Sequence, residues 1–424
     1  MKRAVLLLAS LLLPARVRAG NDEGVLVGGQ AALTGGAITA ITGDGAAAWY
    51  NPAGLARITR HSFDINASAY GVSLTTATNL FTLPDGQTSN ASFIDWQLIP
   101  SALSYSRVLS ERVVGSVGVF IPSTTDADLR ASILQSDGTR WTLGADQTRN
   151  EYTYIASAAF RVREDLRVGV ALHGVYTSEE TMLQLADGMP GTAGQQPFRS
   201  SSQHETRGDY GLRVGVGVQW MPTSRLAFGL SAQTPMLTGF RKIASDTVIS
   251  EYRGGTAGGV YESEHVKALQ QPWDFSTPLY VRLGAAYTVG RAQLLADGNL
   301  SSPLNTQEDS QDRKVNGNVR VGALVTHSER LTYGGGLFTD RSSFRDTDSK
   351  FVGLSGGVRV AQNYTITEGQ RQLTFATTLA GRYAYGWGST AGTVFVSDTQ
   401  PERSVRAEVR AHELAFNLSG AVTF

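Results

Sequence analysis

The segment Gly353-Leu354-Ser355-Gly356-Gly357 matches G-x-S-x-G, the pattern in which hydrolases hold a nucleophilic serine. That pattern requires a strand that turns sharply into a helix, whereas this segment lies within an alternating, strand-like sequence without recognisable His and Asp partners. The chain has no Cys, and its histidines share no metal-ligand spacing. The sequence therefore predicts no enzyme, no metal and no cofactor, and a membrane-embedded lipase that uses Ser355 is a disfavoured alternative. The histidines are His61, His173, His204, His265, His327 and His412.

Arginine recurs on the polar face of the predicted strands, frequently beside glycine. One interpretation is a set of cations that meets the carboxylate of a ligand. The favoured interpretation is a lumen whose arginines pair with acids such as Asp44, Asp64 and Asp297, because enclosed charges need partners. The arginines concerned are Arg161, Arg167, Arg213, Arg282, Arg320, Arg359 and Arg382.

Side-chain alternation with a period of two predicts the elements that position these residues. In residues 413–424, Leu, Phe, Gly and Val alternate with Glu, Ala, Asn, Ser and Thr. The pattern recurs about fourteen times, which predicts an all-β fold, an antiparallel transmembrane barrel with its polar face toward the lumen. The predicted strands are residues 61–74, 99–108, 112–121, 151–162, 166–177, 209–221, 225–240, 277–289, 291–300, 317–327, 330–339, 351–361, 372–385 and 411–424.

The connections between these segments alternate between short and long. Residues 109–111 form a predicted tight turn, and residues 122–150 form a predicted long loop. Short turns on one rim and long loops on the other are typical of bacterial outer-membrane barrels, with the short rim periplasmic and an even strand number. Aromatic residues at the ends of the apolar faces, among them Trp220 and Phe424, fit the interfacial belts of such a barrel.

The N-terminus predicts export. Lys2 and Arg3 precede the largely apolar run Ala4–Leu13 and the cleavage-site-like Val17-Arg18-Ala19, so residues 1–19 form a predicted signal peptide. Without them the chain keeps 33 Lys and Arg against 37 Asp and Glu, and the resulting negative charge argues against nucleic acid as a partner. Charged residues make up 17% of the chain, below the ~25% of soluble domains, which favours a protein that faces lipid.

The segment before the first strand is dominated by small residues. The stretch Leu26–Ala56 is rich in Gly and Ala, contains the acid Asp44, and includes the turn-forming Asn51-Pro52-Ala53. Residues this small pack inside an enclosure but do not build a core of their own. The predicted domains are therefore a signal peptide (1–19), a hatch or plug within the lumen (20–60), and a barrel with long extracellular loops (61–424).

The residues Gly28-Gly29-Gln30-Ala31 and the segment from Gly43 to Ala56 resemble the N-terminal hatch of the FadL/TodX outer-membrane transport proteins. The strand count, the terminal aromatic residue and the signal peptide extend this likeness over nearly the whole chain as a pattern. The resemblance implies a hatch motif. The family often has two adjacent acids where this chain has Gly43-Asp44, so only one acid carries over. The motif residues are Asp44, Asn51, Pro52 and Ala53.

The resemblance also implies a function. The expected activity is passive, ligand-gated diffusion of hydrophobic compounds, such as long-chain fatty acids or aromatic hydrocarbons, across the bacterial outer membrane. The ligand is expected to enter among the extracellular loops, pass to a pocket in the barrel, and leave sideways once the hatch shifts. Other expected partners are outer-membrane lipid or lipopolysaccharide and, during biogenesis, the barrel-assembly machinery. The barrel is expected to be a monomer.

Two further expectations concern the path of the ligand. The segment Thr181–Pro190 places apolar residues in a predicted loop, where they would form a first capture groove. Gly115 and Gly118 are candidates for a loosened wall and a lateral exit. A surface-protein shuttle or secretion partner stays open as an alternative function, as does a general porin, which would conduct ions. The groove residues are Met182, Leu183, Leu185 and Met189.

Overall fold

The structure is a computed structural model, and it describes residues 26–82, 86–134, 138–188, 198–252, 260–270, 273–306, 312–345, 347–366, 371–394 and 405–424. The predicted signal peptide and Met189 lie outside the described residues. Within those ranges, no helix is long and apolar enough to cross a membrane.

Seventeen strand segments form a single sheet, and they combine into fourteen antiparallel strands. Two segments, Leu226–Gln233 and Met236–Tyr252, both pair with the strand before them and so form one interrupted strand. Three later segments pair with these two in turn and form the next interrupted strand. The last strand pairs with the first from Ser62 and Thr423 onward, which closes the barrel. The predicted all-β, fourteen-stranded barrel is confirmed.

The strands are β1 Ser62–Thr82, β2 Thr88–Ser110, β3 Val113–Leu134, β4 Arg140–Arg161, β5 Leu166–Gly188, β6 Phe198–Trp220, β7 Leu226–Gln233 with Met236–Tyr252, β8 Val260–Gln270 with Asp274–Thr277 and Tyr280–Val289, β9 Ala292–Ser301, β10 Asn316–Ser328, β11 Leu331–Arg341, β12 Asp348–Ile366, β13 Arg371–Val394 and β14 Val405–Thr423. Each neighbouring pair forms an antiparallel ladder, and tight turns join the strands along one rim. At one of these turns Gly290 has a φ of 57°, which glycine adopts without strain.

Alternate residues of each strand face outward and inward, as the sequence pattern predicts. In β5, Val170 and Leu172 are exposed on the outer surface, whereas Ala171 and His173 are buried toward the lumen. Large apolar side chains on the outer surface would be costly in water and are favourable in lipid. The barrel therefore presents a lipid-facing band.

The strands extend well beyond the predicted bounds. β3 has 22 residues, whereas a tilted membrane-spanning strand needs only ~9–11. The prediction of a loop over residues 122–150 is therefore wrong for most of that range, which forms the strands of a long hairpin, and residues 181–188 of the other predicted loop lie in β5. Outside the lipid band the outer face carries exposed charges such as Asp126 and Asp128, so the apolar alternation ends while the backbone ladder continues.

The N-terminal residues 26–58 lie inside the barrel and form the plug. The plug contains helix α1 (Gly29–Thr34), the one-turn helix α2 (Ala47–Tyr50) and a 3-10 helix (Pro52–Arg57). Its buried side chains, such as Leu33 and Leu55, belong to the same apolar cluster as inward-facing residues of the wall. The plug fills the part of the lumen nearest the short-turn rim.

Candidate functional site

Asn51 connects the plug to the wall. It is fully buried, and its Nδ2 donates hydrogen bonds to the carbonyl oxygens of Thr39 in the plug (2.9 Å) and Val218 in β6 (3.0 Å). Its Oδ1 accepts the N–H of Ala53 at 3.2 Å and so begins the 3-10 helix, with Pro52 at the first position. The predicted motif thus lies where two turns of the plug meet the wall, and its role in transport stays a prediction.

Inward-facing glycines provide the space for the plug. A Cβ atom added at Gly217 would overlap Asn51, and one added at Gly169 would overlap Pro52. These glycines are required by the close approach of two backbones. The same relation to the plug is found at Gly229, Gly284, Gly322 and Gly336.

Polar side chains of the wall satisfy the end of α2. A helix leaves its last carbonyl groups without partners of its own. Here Ser231 Oγ donates to the carbonyl of Tyr50 at 2.7 Å, and Gln233 Nε2 donates to that of Trp49 at 3.1 Å. Arg282 adds a hydrogen bond to the carbonyl of Trp49 at 3.4 Å. The backbone of α2 is therefore anchored to the wall.

Two other predicted lumen arginines, Arg161 and Arg167, also have protein partners. Arg161 donates to the carbonyl of Ala56 at 3.2 Å, and Arg167 lies 3.4 Å from Sδ of Met221. These contacts lie at the short-turn end of the plug. Neither contact is the predicted pairing with an acid, so that interpretation stays a prediction for these two arginines.

Acids of the wall complete this polar lining. Asp297 accepts the N–H of Thr39 at 2.8 Å and lies directly opposite Arg320 in the β9–β10 ladder. Arg382 forms an ion pair with Glu413 at 3.3 Å. In these pairs the charges of the wall are balanced within the protein.

Asp44 faces a small cavity between the plug and the wall. The cavity has a volume of about 160 Å³ and is also lined by Asp64 and Arg359. The N–H of Ala46 donates to Oδ1 of Asp44 at 3.1 Å. Enclosure within the barrel raises the pKa of Asp44, and the hydrogen bond from Ala46 and the charge of Arg359 offset part of this rise.

The side chain of Trp49 projects from the plug into a group of wall residues. Its indole stacks on Phe120 at a centroid distance of 6.2 Å and lies 6.0 Å from the ring of His173. The guanidinium of Arg213 lies 5.0 Å from the indole centroid. The sequence alone does not indicate this cluster, because its members are far apart along the chain and alternation shows at most which strand residues face inward.

One side of the lumen near the long-hairpin rim is apolar. A cluster of buried apolar side chains from β1–β5 and β14, called here the upper cluster, lines this part of the barrel. Of the predicted groove, Leu183 belongs to the cluster and Leu185 packs against it, whereas Met182 points outward from the same strand. The structure places all three in β5 and not in a loop. The members of the upper cluster are Ala77, Leu80, Ala91, Phe93, Leu129, Leu143, Ala145, Leu183, Ala407 and Val409.

Ion pairs separate the upper cluster from the plug. Asp209 in β6 contacts both Arg207 (3.0 Å) and Arg241 (2.9 Å), and Arg149 lies 3.7 Å from Glu179 in the neighbouring strands. Along β5, Glu179 lies between Leu183 of the upper cluster and His173 beside the plug. From the long-hairpin rim inward, the lumen therefore contains an apolar region, then a region of ion pairs whose charges offset each other, and then the plug.

The wall is interrupted between β2 and β3. Among the described residues, no β2–β3 pair lies between Asp95↔Ala127 and Ala102↔Phe120. The same register on both sides of this gap places Pro100 opposite the only proline of β3, Pro122. Proline has no N–H to donate to a ladder, which accounts for the loss of pairing.

The wall is not loosened at Gly115 and Gly118, and a lateral exit stays a prediction. Gly115 and Gly118 lie in a regular part of the β2–β3 ladder, opposite Arg107 and Ser104. Glycine alone does not interrupt a ladder, because it keeps its N–H and carbonyl groups. The sequence signal for the gap is the presence of Pro100 and Pro122 in two adjacent strands.

The motif at Ser355 is part of β12, which continues without a turn through Gly357. The side chain of Ser355 is buried and faces the lumen. Among the described residues, no group of three or more His, Cys, Asp or Glu side chains is arranged to hold a metal ion. The nucleophile elbow is thus not formed here.

No family model and no curated protein sequence matches the chain. Solved structures do match it. The "CymD monoaromatic hydrocarbon channel" has a TM-score of 0.58 at 15% identity, with 96% of this chain and 99% of that chain covered. A FadL homologue from Pseudomonas aeruginosa has a TM-score of 0.59 at 12% identity over 92% and 96% of the two chains.

The Ralstonia pickettii toluene transporter TbuX is also similar, with a TM-score of 0.55 at 14% identity over 94% of this chain and 98% of that chain. At such identities these likenesses establish the fold. The predicted resemblance to the FadL/TodX proteins is therefore confirmed as a shared architecture, a plugged fourteen-stranded barrel.

Proposed function

We propose that the protein is a passive uptake channel of the bacterial outer membrane for small hydrophobic compounds, of the class that includes aromatic hydrocarbons and long-chain fatty acids. The observation that carries this proposal is the arrangement of the lumen, in which the upper cluster leads toward a plug held in place by the wall. An apolar concave surface binds molecules that water excludes. The similar structures include proteins described as a monoaromatic hydrocarbon channel and a toluene transporter.

The route follows from the order of the lumen regions. The long-hairpin rim faces outside, so a ligand first meets the upper cluster, then the ion pairs, and then the plug. The plug blocks direct passage to the periplasm. The gap between Pro100 and Pro122 supports a sideways exit into the membrane, because a wall without ladder hydrogen bonds opens at little cost.

Uptake by cells tests the proposal. Cells that express the protein, cells with an empty vector, and cells that express Asn51→Ala are supplied with radiolabelled toluene or labelled oleate. We expect faster uptake of at least one compound with the intact protein than with the empty vector, and altered uptake with the variant. Equal uptake in all three, with the folded barrel present in the outer membrane, contradicts the proposal.

Planar bilayers separate this function from that of a general porin. The intact protein should conduct few ions, because residues of the plug fill the lumen near the short-turn rim. Steady, large conductance without ligand would favour a porin. Contact with lipopolysaccharide, folding by the barrel-assembly machinery and a monomeric state stay predictions that accompany the proposed location.

A further inference from the structure

We propose that Phe120, His173 and Arg213 form a binding site for an aromatic ring that carries a polar substituent, and that the indole of Trp49 occupies this site in the closed state. The inference rests on the proposed function and specifies its substrate class. A substrate ring would open the path by replacing the indole. The three wall residues are called the ring site below.

The ring site offers the contacts that aromatic compounds prefer. Phe120 is stacked on the indole with an interplanar angle of 20°, and His173 is tilted against it by 50°. Arg213 supplies a cation over the face of the ring. Stacked, tilted and cation–π contacts all favour a flat π system over a saturated ring of the same size.

The indole and the ring site come from different parts of the chain. Trp49 belongs to the plug, whereas all three residues of the ring site belong to the wall. α2 has four residues and no side-chain hydrogen bond at its N-cap, so it has little stability of its own. Its carbonyl groups are nevertheless held by Ser231 and Gln233. The indole can therefore swing out of the site while the backbone of the plug stays anchored.

His173 gives a polar substrate an advantage over the indole. It is fully buried, and neither ring nitrogen has a hydrogen-bond partner within the described part of the chain. A buried polar group without a partner is costly, and a guest that supplies one is favoured accordingly. A hydroxyl group on the substrate ring can pair with either nitrogen. Phenol therefore competes with the indole more strongly than toluene, which offers ring contacts only.

The position of the ring site connects displacement to the exit. Phe120 is the last paired residue of β3 before the gap in the β2–β3 ladder. The indole that stacks on Phe120 therefore lies beside the interrupted wall. A ring that takes its place reaches the gap without passing through the plug.

The test follows Trp49 directly in the full-length mature protein, labelled with 5-fluorotryptophan and studied by fluorine NMR. The chain has six Trp residues, and the Trp49 resonance is identified by its absence in Trp49→Phe. We expect phenol and toluene to shift this resonance and methylcyclohexane to leave it unchanged at equal free concentration. The exposed Trp387 on the outer surface provides the control resonance.

The variant His173→Phe keeps an aromatic ring in the site and removes its nitrogens. The concentration at which the Trp49 shift is half complete is measured for phenol and for toluene. We expect the ratio of these two concentrations to change about tenfold because phenol binds more weakly, which corresponds to ~1.4 kcal/mol. An unchanged ratio, or a Trp49 shift with methylcyclohexane equal to that with phenol, overturns the ring site. Arg213→Lys keeps the charge and should weaken both aromatic ligands alike.

The two proposals fail in different ways. If cells take up toluene or oleate while no aromatic probe shifts the Trp49 resonance, the ring site is wrong and the uptake function stands. If the resonance responds as expected while uptake equals that of the empty vector, the ring site stands and the uptake function is wrong.

Discussion

The two halves of the lumen are built from different interactions. Near the short-turn rim, hydrogen bonds from Asn51, Ser231 and Gln233 hold the plug, and glycines of the wall fit its backbone. Near the long-hairpin rim, the upper cluster consists only of apolar side chains. Hydrogen bonds are directional and select one position of the plug, whereas apolar contact is non-directional and accepts ligands of many shapes. Closure is therefore specific where capture is permissive.

The largest expected effect comes from filling a glycine position under the plug. In Gly217→Val the new side chain overlaps Asn51, and we expect the closed position to be destabilised by about 3 kcal/mol through overpacking and broken hydrogen bonds. Ion conductance in planar bilayers should rise strongly. Gly420→Val is the matched control, because a Cβ atom there meets nothing within 4 Å. Equal, low conductance of both variants would show that the glycine positions do not hold the plug.

A smaller effect is expected from removing the side chain that joins plug and wall. Asn51→Ala removes the side-chain hydrogen bonds to the carbonyl groups of Thr39 and Val218, at a cost of ~2 kcal/mol. The fraction of open plugs should rise about thirtyfold, seen as more frequent openings in single-channel recordings. Asn363→Ala, at an exposed position of β12, should not change the recordings. Identical opening frequencies in the two variants would contradict the role of Asn51.

The sequence was sufficient for the architecture because lipid imposes a simple rule. Every second residue in the membrane band faces hydrocarbon, so segments such as residues 413–424 show the strand period without any knowledge of their partners. Beyond the lipid band this rule no longer applies, and the strand ends there were not predicted. The outward Asp126 and Asp128 lie in strands that are as regular as those below them, yet their alternation is not apolar.

The site was less predictable, because its contacts join distant residues. Asn51 could be named from the hatch resemblance, but its partner Val218 is 167 residues away and contributes only a backbone carbonyl. Trp49 lay in the segment that resembles the hatch and His173 in an alternating strand, and neither signal indicated that the two rings meet. The inward glycines did carry one, since the run of Gly215, Gly217 and alternating valines indicates a face against which another backbone packs.

The third effect concerns the upper cluster. Leu183→Asn places an amide in the upper cluster and should reduce uptake of hydrophobic compounds about fivefold, because replacing an apolar side chain that a ligand touches weakens binding by ~1 kcal/mol. Ion conductance should stay low because the plug is unaffected. Met182→Asn is the neighbouring control and faces outward. Reduced uptake in Met182→Asn alone would contradict the role of the upper cluster and would indicate that ligands are captured on the outer surface of the barrel.

The smallest expected effect is a pH dependence confined to the half that contains the plug. Enclosure raises the pKa of Asp44, so the seated plug holds this proton more tightly than a released plug does. The free energy that holds the plug in its closed position is therefore largest below the ordinary pKa of an aspartate. It decreases as the pH rises through the raised pKa of Asp44. Conductance should increase modestly over that range, and Asp44→Asn should flatten the increase, whereas Asp348→Asn on the outer surface should preserve it. Conductance that falls with rising pH would contradict this sign and would mean that the charge of Arg359 outweighs the enclosure of the carboxyl group.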